Sequence, residues 1–278
     1  TEEFTNEVIA LSPNTTYYVR AYATNALGIV YGNQVSFTTA QSAHPSSETQ
    51  LNPQDGQPCE VAPTVTDVDG NVYNTVQIGS QCWTKENMRT TRYADGTSIA
   101  LGTDTSSSIR YRYYPNNDAA NVPEFGFLYN WKAATFTPTS LMADPDVTQG
   151  VCPNGWHVPS DAEWTQLERY VGSQPPYICT EDTLAIAKSI ALGKYWYRST
   201  LKCGIGYNLS VDNMTGFSAL PAGKYGDAFA NFSNYAYYWT ATPNYRNGYF
   251  RRLYYDSPVI YRDYASSFYG YSVRCLRD

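Results

Sequence analysis

Apolar and polar residues alternate in short runs along most of the chain, a pattern that predicts β-strands. The first three runs cover residues 7–11, 17–23 and 34–39. A further alternation from Val65 to Ile78 brackets the turn sequence Asp69–Asn71, where Gly70 permits the positive φ of a tight turn, and predicts a β-hairpin. Everything after Ser218 is predicted to consist of strands and loops.

Two segments instead have helical periodicity. In the first, Ser160 and Glu163 have the spacing of a capping box. The apolar stripe that follows them comprises Trp164, Leu167 and Val171. A second helix is predicted after Glu181 and Asp182, and it should end at Gly193. Its apolar face would comprise Leu184, Ala187 and Ala191.

Composition divides the chain into three parts. Residues 41–58 contain three prolines and almost no apolar side chains, so they cannot offset the entropy lost on folding and are interpreted as a linker. Because no second linker follows, residues 59–278 are predicted to form one continuous domain. The strands within residues 1–40 cannot close a core alone and should be poorly ordered unless they dock on something.

Charge and composition exclude several classes of function. The net charge of −6 and the pI near 5.0 argue against a nucleic-acid partner, because binding the phosphate backbone requires a dense Lys and Arg surface. No run of about 18 apolar residues occurs, and Thr1 opens no signal segment, so an export signal or membrane anchor is expected outside this sequence. Six cysteines without a Cys-x-x-Cys pair favour disulfides and an oxidising, extracytoplasmic compartment.

The sequence lacks nucleophile elbows, His-Glu-x-x-His helices, phosphate loops and dinucleotide fingerprints. His157 lies in an apolar strand, where a core histidine bonded to backbone is far more common than a catalytic base. Glu163 is explained by its capping role, and Asp161 by the favourable field of a helix N-terminus. We therefore expect no catalytic residue and no enzymatic activity.

The sequence also offers few candidate metal-binding motifs. Asp67–Asn71 imitates the start of a calcium loop, but its twelfth position is Ile78 instead of glutamate, so a turn is favoured over a metal site. Asp144 and Asp146 offer oxygens in a loop without a third partner. No metal and no cofactor are expected.

Several motifs follow one another in order between residues 59 and 278. They are Asp67–Asn71, Gln77–Trp83, Glu86–Met88, Tyr129–Trp131, Val151–Trp164, Gly216–Gly223, Tyr238–Thr242 and Ser272–Cys275. Together they resemble the Fibrobacter succinogenes major paralogous domain, a family of exported, surface-attached proteins of gut and related anaerobic bacteria. The family often follows immunoglobulin-like modules, and residues 11–25 resemble the last strands of a fibronectin type III domain. We therefore expect the sequence to begin within such a domain and to be joined to upstream domains of the same chain.

The motifs Pro159–Trp164 and Ser272–Cys275 are also similar to those of formylglycine-generating-enzyme-like domains, a branch of the C-type-lectin-like fold. This similarity implies an α+β domain with two helices, a small twisted antiparallel sheet and long loops, preceded by the partial all-β fibronectin-like stub. The enzyme's activity is disfavoured, because that branch uses two neighbouring cysteines near the C-terminus and only Cys275 follows Cys203 here. The calcium-binding motifs of many C-type lectins are missing as well.

Disulfide pairing is not fixed by the cysteines alone, because six of them allow 15 connectivities. The family resemblance places one pair in adjacent core segments and the other two pairs around local loops. The pairs it implies are Cys59 with Cys82, Cys152 with Cys275, and Cys179 with Cys203.

Residues 244–271 have the composition of an antibody paratope. They include eight Tyr, two Phe and four Arg among 28 positions, and such aromatic side chains give large, rigid contacts at low entropic cost. Alternatively, these aromatics are ordinary strand and core residues, because Tyr favours sheets. Alternation from Tyr249 to Asp256 places Leu253 on the face that is expected to point inward.

Twelve residues of this segment are expected to be exposed together as a ligand-binding surface. They are Tyr245, Arg246, Asn247, Phe250, Arg252, Tyr254, Asp256, Tyr261, Asp263, Tyr264, Phe268 and Tyr269. Trp239, Leu253, Val273 and Cys275 should lie beneath them.

The same segment contains no Lys, Glu, Gln, Met or Trp. Those are the amino acids that mutation of adenines in a pyrimidine-ending Asn codon cannot produce. Some members of this and related lectin-like families are variable proteins of diversity-generating retroelements, which mutate such codons, and the resemblance implies that history here. Ordinary members are also rich in Tyr and Asn at this place, so this alternative stays open.

We expect a surface-displayed ligand-binding module, an adhesin or receptor-binding domain that contacts a protein or glycan on a host, bacterial or phage surface. The alternative is a structural subunit of a pilus or envelope assembly, with the Tyr-rich face packed on another subunit. An oxidase or sulfatase-modifying enzyme is a remote third interpretation. The first interpretation places the protein on the outer surface of a bacterial cell.

Overall fold

The computed structural model describes residues 16–25, 28–38, 52–105, 108–136 and 148–278. The chain divides into two compact units, Thr1–Thr49 and Gln50–Asp278. The predicted strand at 7–11, most of the predicted linker and the carboxylates Asp144 and Asp146 lie outside the described residues. Within the described ranges, no helix is both long enough and apolar enough to cross a membrane.

The first unit contains short antiparallel strands. They are β1 (Thr16–Val19), β2 (Tyr22–Asn25), β3 (Gly28–Tyr31) and β4 (Val35–Thr38). Strand β1 pairs with β4, and β2 pairs with β3. The predicted run 17–23 is therefore divided between two strands, and β3 was not predicted. No described side chain of this unit is fully buried, because two isolated hairpin-like pairs enclose no core.

The second unit contains fourteen described strands and four described α-helices. The strands are β5 (Thr64–Thr66), β6 (Val72–Ile78), β7 (Gln81–Thr84), β8 (Ala100–Leu101), β9 (Tyr111–Tyr113), β10 (Leu128–Asn130), β11 (Trp156–His157), β12 (Lys224–Tyr225), β13 (Phe229–Ala230), β14 (Tyr235–Asn244), β15 (Asn247–Tyr254), β16 (Tyr261–Ser266), β17 (Gly270–Tyr271) and β18 (Leu276–Arg277). The helices are α1 (Val122–Phe125), α2 (Trp131–Thr135), α3 (Asp161–Gly172) and α4 (Ala187–Ile190).

These strands form three sheets. The first has the order β11-β18-β7-β6-β5, the second β13-β12-β17-β10-β9-β8, and the third β14-β15-β16. Neighbouring strands are antiparallel except β8 and β9, which are parallel. The third sheet lies between two hydrophobic clusters, because Trp239 and Phe250 belong to one cluster and Tyr238 and Leu253 belong to the other.

The predicted α+β architecture, with two helices and one small sheet, is wrong. Strands dominate the described residues, and of the four described helices only α3 is longer than five residues. The domain is therefore mostly β, and its core is enclosed by several sheets.

The second predicted helix is one part of this error. Only one helical turn, α4, forms, and Leu184 is exposed instead of packed. The backbone N–H of Ala187 donates to the carbonyl of Pro258 at 2.9 Å, and that of Leu192 donates to Ala219 at 2.9 Å. Contacts with distant segments thus replace the hydrogen bonds that would have extended the helix in both directions.

Two local predictions are confirmed. Strands β5 and β6 pair around the predicted turn, where Gly70 has a φ of +84° and Thr66 faces Val72. Helix α3 begins with the capping box: the Ser160 Oγ accepts from the Glu163 N–H at 3.2 Å, and a Glu163 carboxylate oxygen accepts from the Ser160 N–H at 2.7 Å. Both motifs satisfy their hydrogen bonds within a few residues, which is why sequence alone identifies them.

Residues 268–277, which we call the closing segment, connect the three sheets. Strand β17 belongs to the second sheet and β18 to the first, while Ser272 between them forms a parallel bridge with Tyr238 of β14. The side chain of Arg274 is completely buried within this closing segment. Its guanidinium donates to the Asn87 side chain at 2.6 Å and to three backbone carbonyls at 2.7 to 2.9 Å, those of Thr84, Phe217 and Ser218.

The six cysteines pair as the family resemblance implied. The bonds are Cys59–Cys82, Cys152–Cys275 and Cys179–Cys203. Because 123 residues separate the two cysteines of the second pair, this bond should restrict the unfolded chain most, by about 5 kcal/mol in the loop-entropy description. Three disulfides indicate an oxidising, exported environment.

His157 is buried, but it is not bonded to backbone as expected. Its Nδ1 lies 2.7 Å from an Asp278 carboxylate oxygen and its Nε2 lies 2.9 Å from one of Glu163. Burial alone would lower the pKa of His157, but these two carboxylates outweigh it and raise the pKa. The histidine therefore joins β11 to the start of α3 and to Asp278 through two carboxylate contacts that favour its protonated form.

We predict that Arg274→Lys lowers the free energy of unfolding by about 3 kcal/mol or more, because an ammonium cannot reach all four buried acceptors. Denaturant unfolding under oxidising conditions measures the loss. Arg92→Lys is the control: Arg92 is half-exposed and paired with Asp69, so its replacement should change stability by less than about 1 kcal/mol. Equal stability of the two variants would contradict the role of Arg274.

We also predict that His157→Gln destabilises the fold more at pH 6 than at pH 9. Because the pKa of His157 is raised in the folded state, the protonated side chain stabilises the fold fully at pH values below the ordinary pKa of 6.5. This stabilisation is lost as the pH rises through the folded-state pKa. Unfolding curves at the two pH values measure the difference. His44→Gln is the control, because the other histidine lies in the predicted linker. A destabilisation that is the same at both pH values would contradict the charged state.

Candidate ligand-binding face

The register of the third sheet decides which side chains share a face. Residues directly opposite each other in antiparallel strands point to the same side. Arg252 lies opposite Tyr237 on β14 and opposite Tyr261 on β16, whereas Tyr254 lies opposite Tyr235. We call this side of the sheet, with Tyr235, Arg252, Tyr254, Tyr261 and Asp263, the tyrosine face. The other side, which packs on α3, is called the helix face.

A row of six nearly parallel aromatic rings runs along the tyrosine face and continues onto the closing segment. In order, they are Tyr254, Tyr235, Tyr237, Tyr271, Tyr269 and Phe268. Successive ring centres are 4.5, 5.6, 4.9, 6.0 and 4.7 Å apart, and no neighbouring pair is inclined by more than 28°. Tyr237 and Tyr271 are buried, while the other four rings are partly exposed. We call this set the aromatic row.

Polar groups line the aromatic row. The Asn231 amide donates to the hydroxyl of Tyr237 at 2.7 Å, and the Lys224 ammonium lies 4.9 Å from the centre of the Tyr269 ring. Burial raises the pKa of Tyr237 to about 12, so its hydroxyl remains protonated at neutral pH. The row therefore combines apolar rings with neutral hydroxyls and cations, a mixture that suits recognition of a partly polar ligand.

The helix face serves to hold the sheet on α3. Arg251 is completely buried and lies 2.6 Å from Asp161, and it also contacts the Glu168 carboxylate. Arg262 reaches the same Asp161 at 2.8 Å and lies over the ring of Tyr249 at 4.2 Å. Burial opposes ionisation of Asp161, but the two guanidinium groups outweigh it and hold its pKa below the ordinary value. Burial raises the pKa of Glu168 against the pull of Arg251.

The twelve sequence-predicted residues differ widely in exposure. Five are exposed: Tyr245, Arg246, Tyr261, Asp263 and Tyr264. Six are partly buried: Asn247, Arg252, Tyr254, Asp256, Phe268 and Tyr269. The four residues expected beneath them are buried, namely Trp239, Leu253, Val273 and Cys275.

The prediction is wrong for Phe250, which is only 4% exposed. It lies opposite Trp239 and packs against Tyr237 and Tyr271. Alternation had placed Phe250 on the outer side, because Leu253 was assigned to the core. The centre of the sheet is in fact buried on both sides, so a single inner face does not exist there.

The predicted residues also do not form one surface. Tyr264 lies opposite Tyr249 on the helix face, while Tyr261 and Asp263 lie on the tyrosine face. Tyr245, 89% exposed, stands in the turn between β14 and β15. Asp256 is hydrogen-bonded to Ser199 in a loop beyond the sheet. Side chains of successive strand residues point to opposite sides of a sheet. Residues 244–271, although continuous in sequence, therefore contribute side chains to both the tyrosine face and the helix face.

Sequence analysis missed the residues that β14 and its neighbours contribute to the tyrosine face. These are Tyr235, Tyr237, Lys224, Asn231 and Tyr271. The spacing of Tyr235, Tyr237 and Trp239 at every second position was a signal for a shared aromatic face. Only the strand pairing shows that this face adjoins Arg252 and Tyr254.

The Asp67–Asn71 segment is used as a turn. The Asp67 carboxylate accepts from the N–H groups of Asp69 and Asn71 and from the side chains of Asn71 and Tyr73. Asp69 accepts hydrogen bonds from the side chains of Thr91 and Arg92. Burial alone would raise the pKa of Asp69, but these hydrogen bonds outweigh burial and hold the pKa below its ordinary value. Within the described residues, no group of three or more His, Cys, Asp and Glu side chains is placed to hold a metal.

Comparison with known proteins assigns the family. The family model described as the Fibrobacter succinogenes major domain matches residues 76–277, which is well over half of the chain. No curated protein and no solved structure matched the chain. The matched region contains the whole of the tyrosine face, α3 and the closing segment. The chain therefore belongs to the Fibrobacter succinogenes major domain family.

Proposed function

We propose that the domain is a surface-displayed ligand-binding module and that its ligand lies on the tyrosine face. The observation that carries this proposal is the aromatic row, four of whose six rings are partly exposed. Rigid tyrosines bury large areas on binding while losing little side-chain entropy, which is why they dominate paratopes and interface hot spots.

The tyrosine face is prepared for binding before a ligand arrives. Its strands are fixed from behind, because Arg251 binds Asp161 and Glu168 of α3. The row itself is anchored at Tyr271, which is buried and belongs to β17 of the second sheet. A surface that is already ordered loses less entropy on association, and this favours affinity.

The proposal includes no chemical step. All six cysteines are in disulfides, and His157 is held between two carboxylates. Asp161 and Glu168 are occupied by Arg251. These groups support the fold, so recognition without catalysis is the simplest use of the site. The disulfides further support an exported protein, which we propose is displayed on the outer surface of a bacterial cell.

The tyrosine face can be tested by truncating its exposed rings one at a time. We predict that Tyr261→Ala and Tyr254→Ala each weaken binding about 10- to 1,000-fold, the range of interface hot spots, and shift the Tm by only a few degrees. The probes are an array of purified glycans and a displayed random-peptide library. The matched control is Tyr264→Ala, which removes an exposed ring of the same strand on the helix face.

Unfolding of the tyrosine-face variants, or loss of binding in Tyr264→Ala alone, would contradict this assignment. Association of the domain with itself through these rings, without binding to either probe, would instead favour the structural subunit.

We further propose that a diversity-generating retroelement varies residues 244–271. We predict that the genome carries a reverse-transcriptase gene and a near-copy of this coding segment that differs at adenines. The differences should spare Gly248, because a Cβ there would lie 2.2 Å from the Trp131 ring, and should spare the buried Arg251 and Leu253. Genome sequencing checks this, and absence of a near-copy would contradict it.

A further inference from the structure

Three arginines of the third sheet have very different partners. Arg251 and Arg262 are both paired with Asp161 on the helix face. Arg252 points to the opposite side, and no described residue forms a hydrogen bond or an ion pair with its guanidinium. Its Nε is buried without any hydrogen-bond partner. Arg252 is therefore a cation of the tyrosine face with a buried hydrogen-bond donor that no described residue satisfies.

The guanidinium of Arg252 is nevertheless held in place. Its Cζ lies 4.8 Å from the centre of the Tyr261 ring and 5.7 Å from that of Tyr235. Contacts with two aromatic rings restrict the long side chain, and they leave hydrogen-bond donors of the guanidinium unused. An ordered but unpaired guanidinium is the arrangement that a planar, bidentate acceptor would complete.

The chain's own carboxylate on this face does not fill that role. Asp263 lies opposite Phe250, one position along the same face from Arg252. Its Oδ1 accepts the N–H of Tyr264 at 2.8 Å, and it forms no ion pair with Arg252. The negative charge of Asp263 would oppose a dianion such as phosphate, so a singly charged acceptor fits this position better.

We infer that Arg252 is the anchor of the ligand site and binds a carboxylate that a partner polypeptide presents. This inference rests on the proposed function of the tyrosine face and adds the chemistry of the ligand. The carboxylate receives two parallel N–H···O bonds from the guanidinium, while the flanking tyrosines contact the neighbouring side chains of the partner.

The aromatic row favours a polypeptide over a glycan. A pyranose binds an aromatic residue by packing on an open ring face. In the row, Tyr235 and Tyr237 stack on each other and on their outer neighbours, and Arg252 lies over Tyr261. The partly exposed Tyr235, which is stacked on both sides, therefore offers its edge and hydroxyl, and these suit the mixed surface of a protein.

The position of β16 supports the same choice. It is an edge strand of the third sheet, and its two tyrosine-face side chains, Tyr261 and Asp263, are exposed. Its outer backbone groups, apart from the Tyr264 N–H that Asp263 occupies, are accessible to an extended polypeptide beside the tyrosine face.

Selection from a displayed library of random peptides tests this inference on the whole chain. Peptides enriched on the wild-type protein should contain Asp or Glu. Replacing that residue by Asn or Gln in the synthesised peptide should weaken binding about 10- to 100-fold, and Arg252→Gln should have a similar effect. In the doubly changed pair the two losses should not add, because both remove the same ion pair.

Two further variants separate the anchor from general effects. Arg252→Lys retains the charge but not the planar fork, so it should recover only part of the affinity. Arg262→Gln removes a neighbouring guanidinium that is stacked on Tyr249 but already paired with Asp161, and it should leave binding unchanged. The peptide substitutions leave the protein intact, so they remain informative even if Arg252→Gln unfolds.

The possible failures can be told apart. Peptides that bind the tyrosine face without an acidic residue, or with additive losses in the cycle, overturn the carboxylate anchor and leave the proposed function standing. Binding of acidic glycans but no peptides, lost in Arg252→Gln, overturns the polypeptide partner. Absence of any peptide or glycan that depends on Tyr254 or Tyr261 overturns the proposed function and this inference together.

Discussion

The buried guanidinium of Arg274 is the interaction on which the domain depends most. It joins the carbonyls of Phe217 and Ser218 to Thr84 and Asn87, segments that are far apart in sequence. No carboxylate among the described residues accepts from it, so the charge is stabilised by backbone dipoles and an amide. The disulfide between Cys152 and Cys275 ties the same closing segment to the turn that precedes β11. A short stretch of chain therefore holds three sheets in one arrangement.

This constraint also shapes the tyrosine face. Tyr271 precedes Arg274 by three residues, and it lies in the middle of the aromatic row. On the other side of the sheet, Arg251 fixes β15 to α3 through Asp161. The centre of the sheet is consequently rigid, and the exposed positions at its margins can differ in side chain without changing the fold. A fixed centre with variable margins would suit the binding module that we propose.

Adjacent arginines have different roles because strands alternate. Arg251 pairs with carboxylates of α3, while Arg252, the next residue, faces two tyrosines and pairs with no carboxylate in the described part of the chain. The paired guanidinium of Arg251 stabilises the fold. The guanidinium of Arg252 has unused hydrogen-bond donors, which in our proposal bind the ligand. The overall negative charge of the chain gives no long-range attraction for an acidic partner. Its recognition would therefore depend on local geometry.

The sequence by itself determined the features that are satisfied locally, namely the capping box at Ser160 and the hairpin turn at Gly70. Its motifs also identified the family, and the resemblance to that family implied the disulfide pairs. Sequence analysis failed where distant segments compete for backbone hydrogen bonds, as when Pro258 takes the N–H that would have extended α4. It also failed where burial on both sides of a sheet hides alternation, as at Phe250. The strand register alone decided which tyrosines meet and which arginine stays unpaired, because pairing partners come from separate parts of the chain.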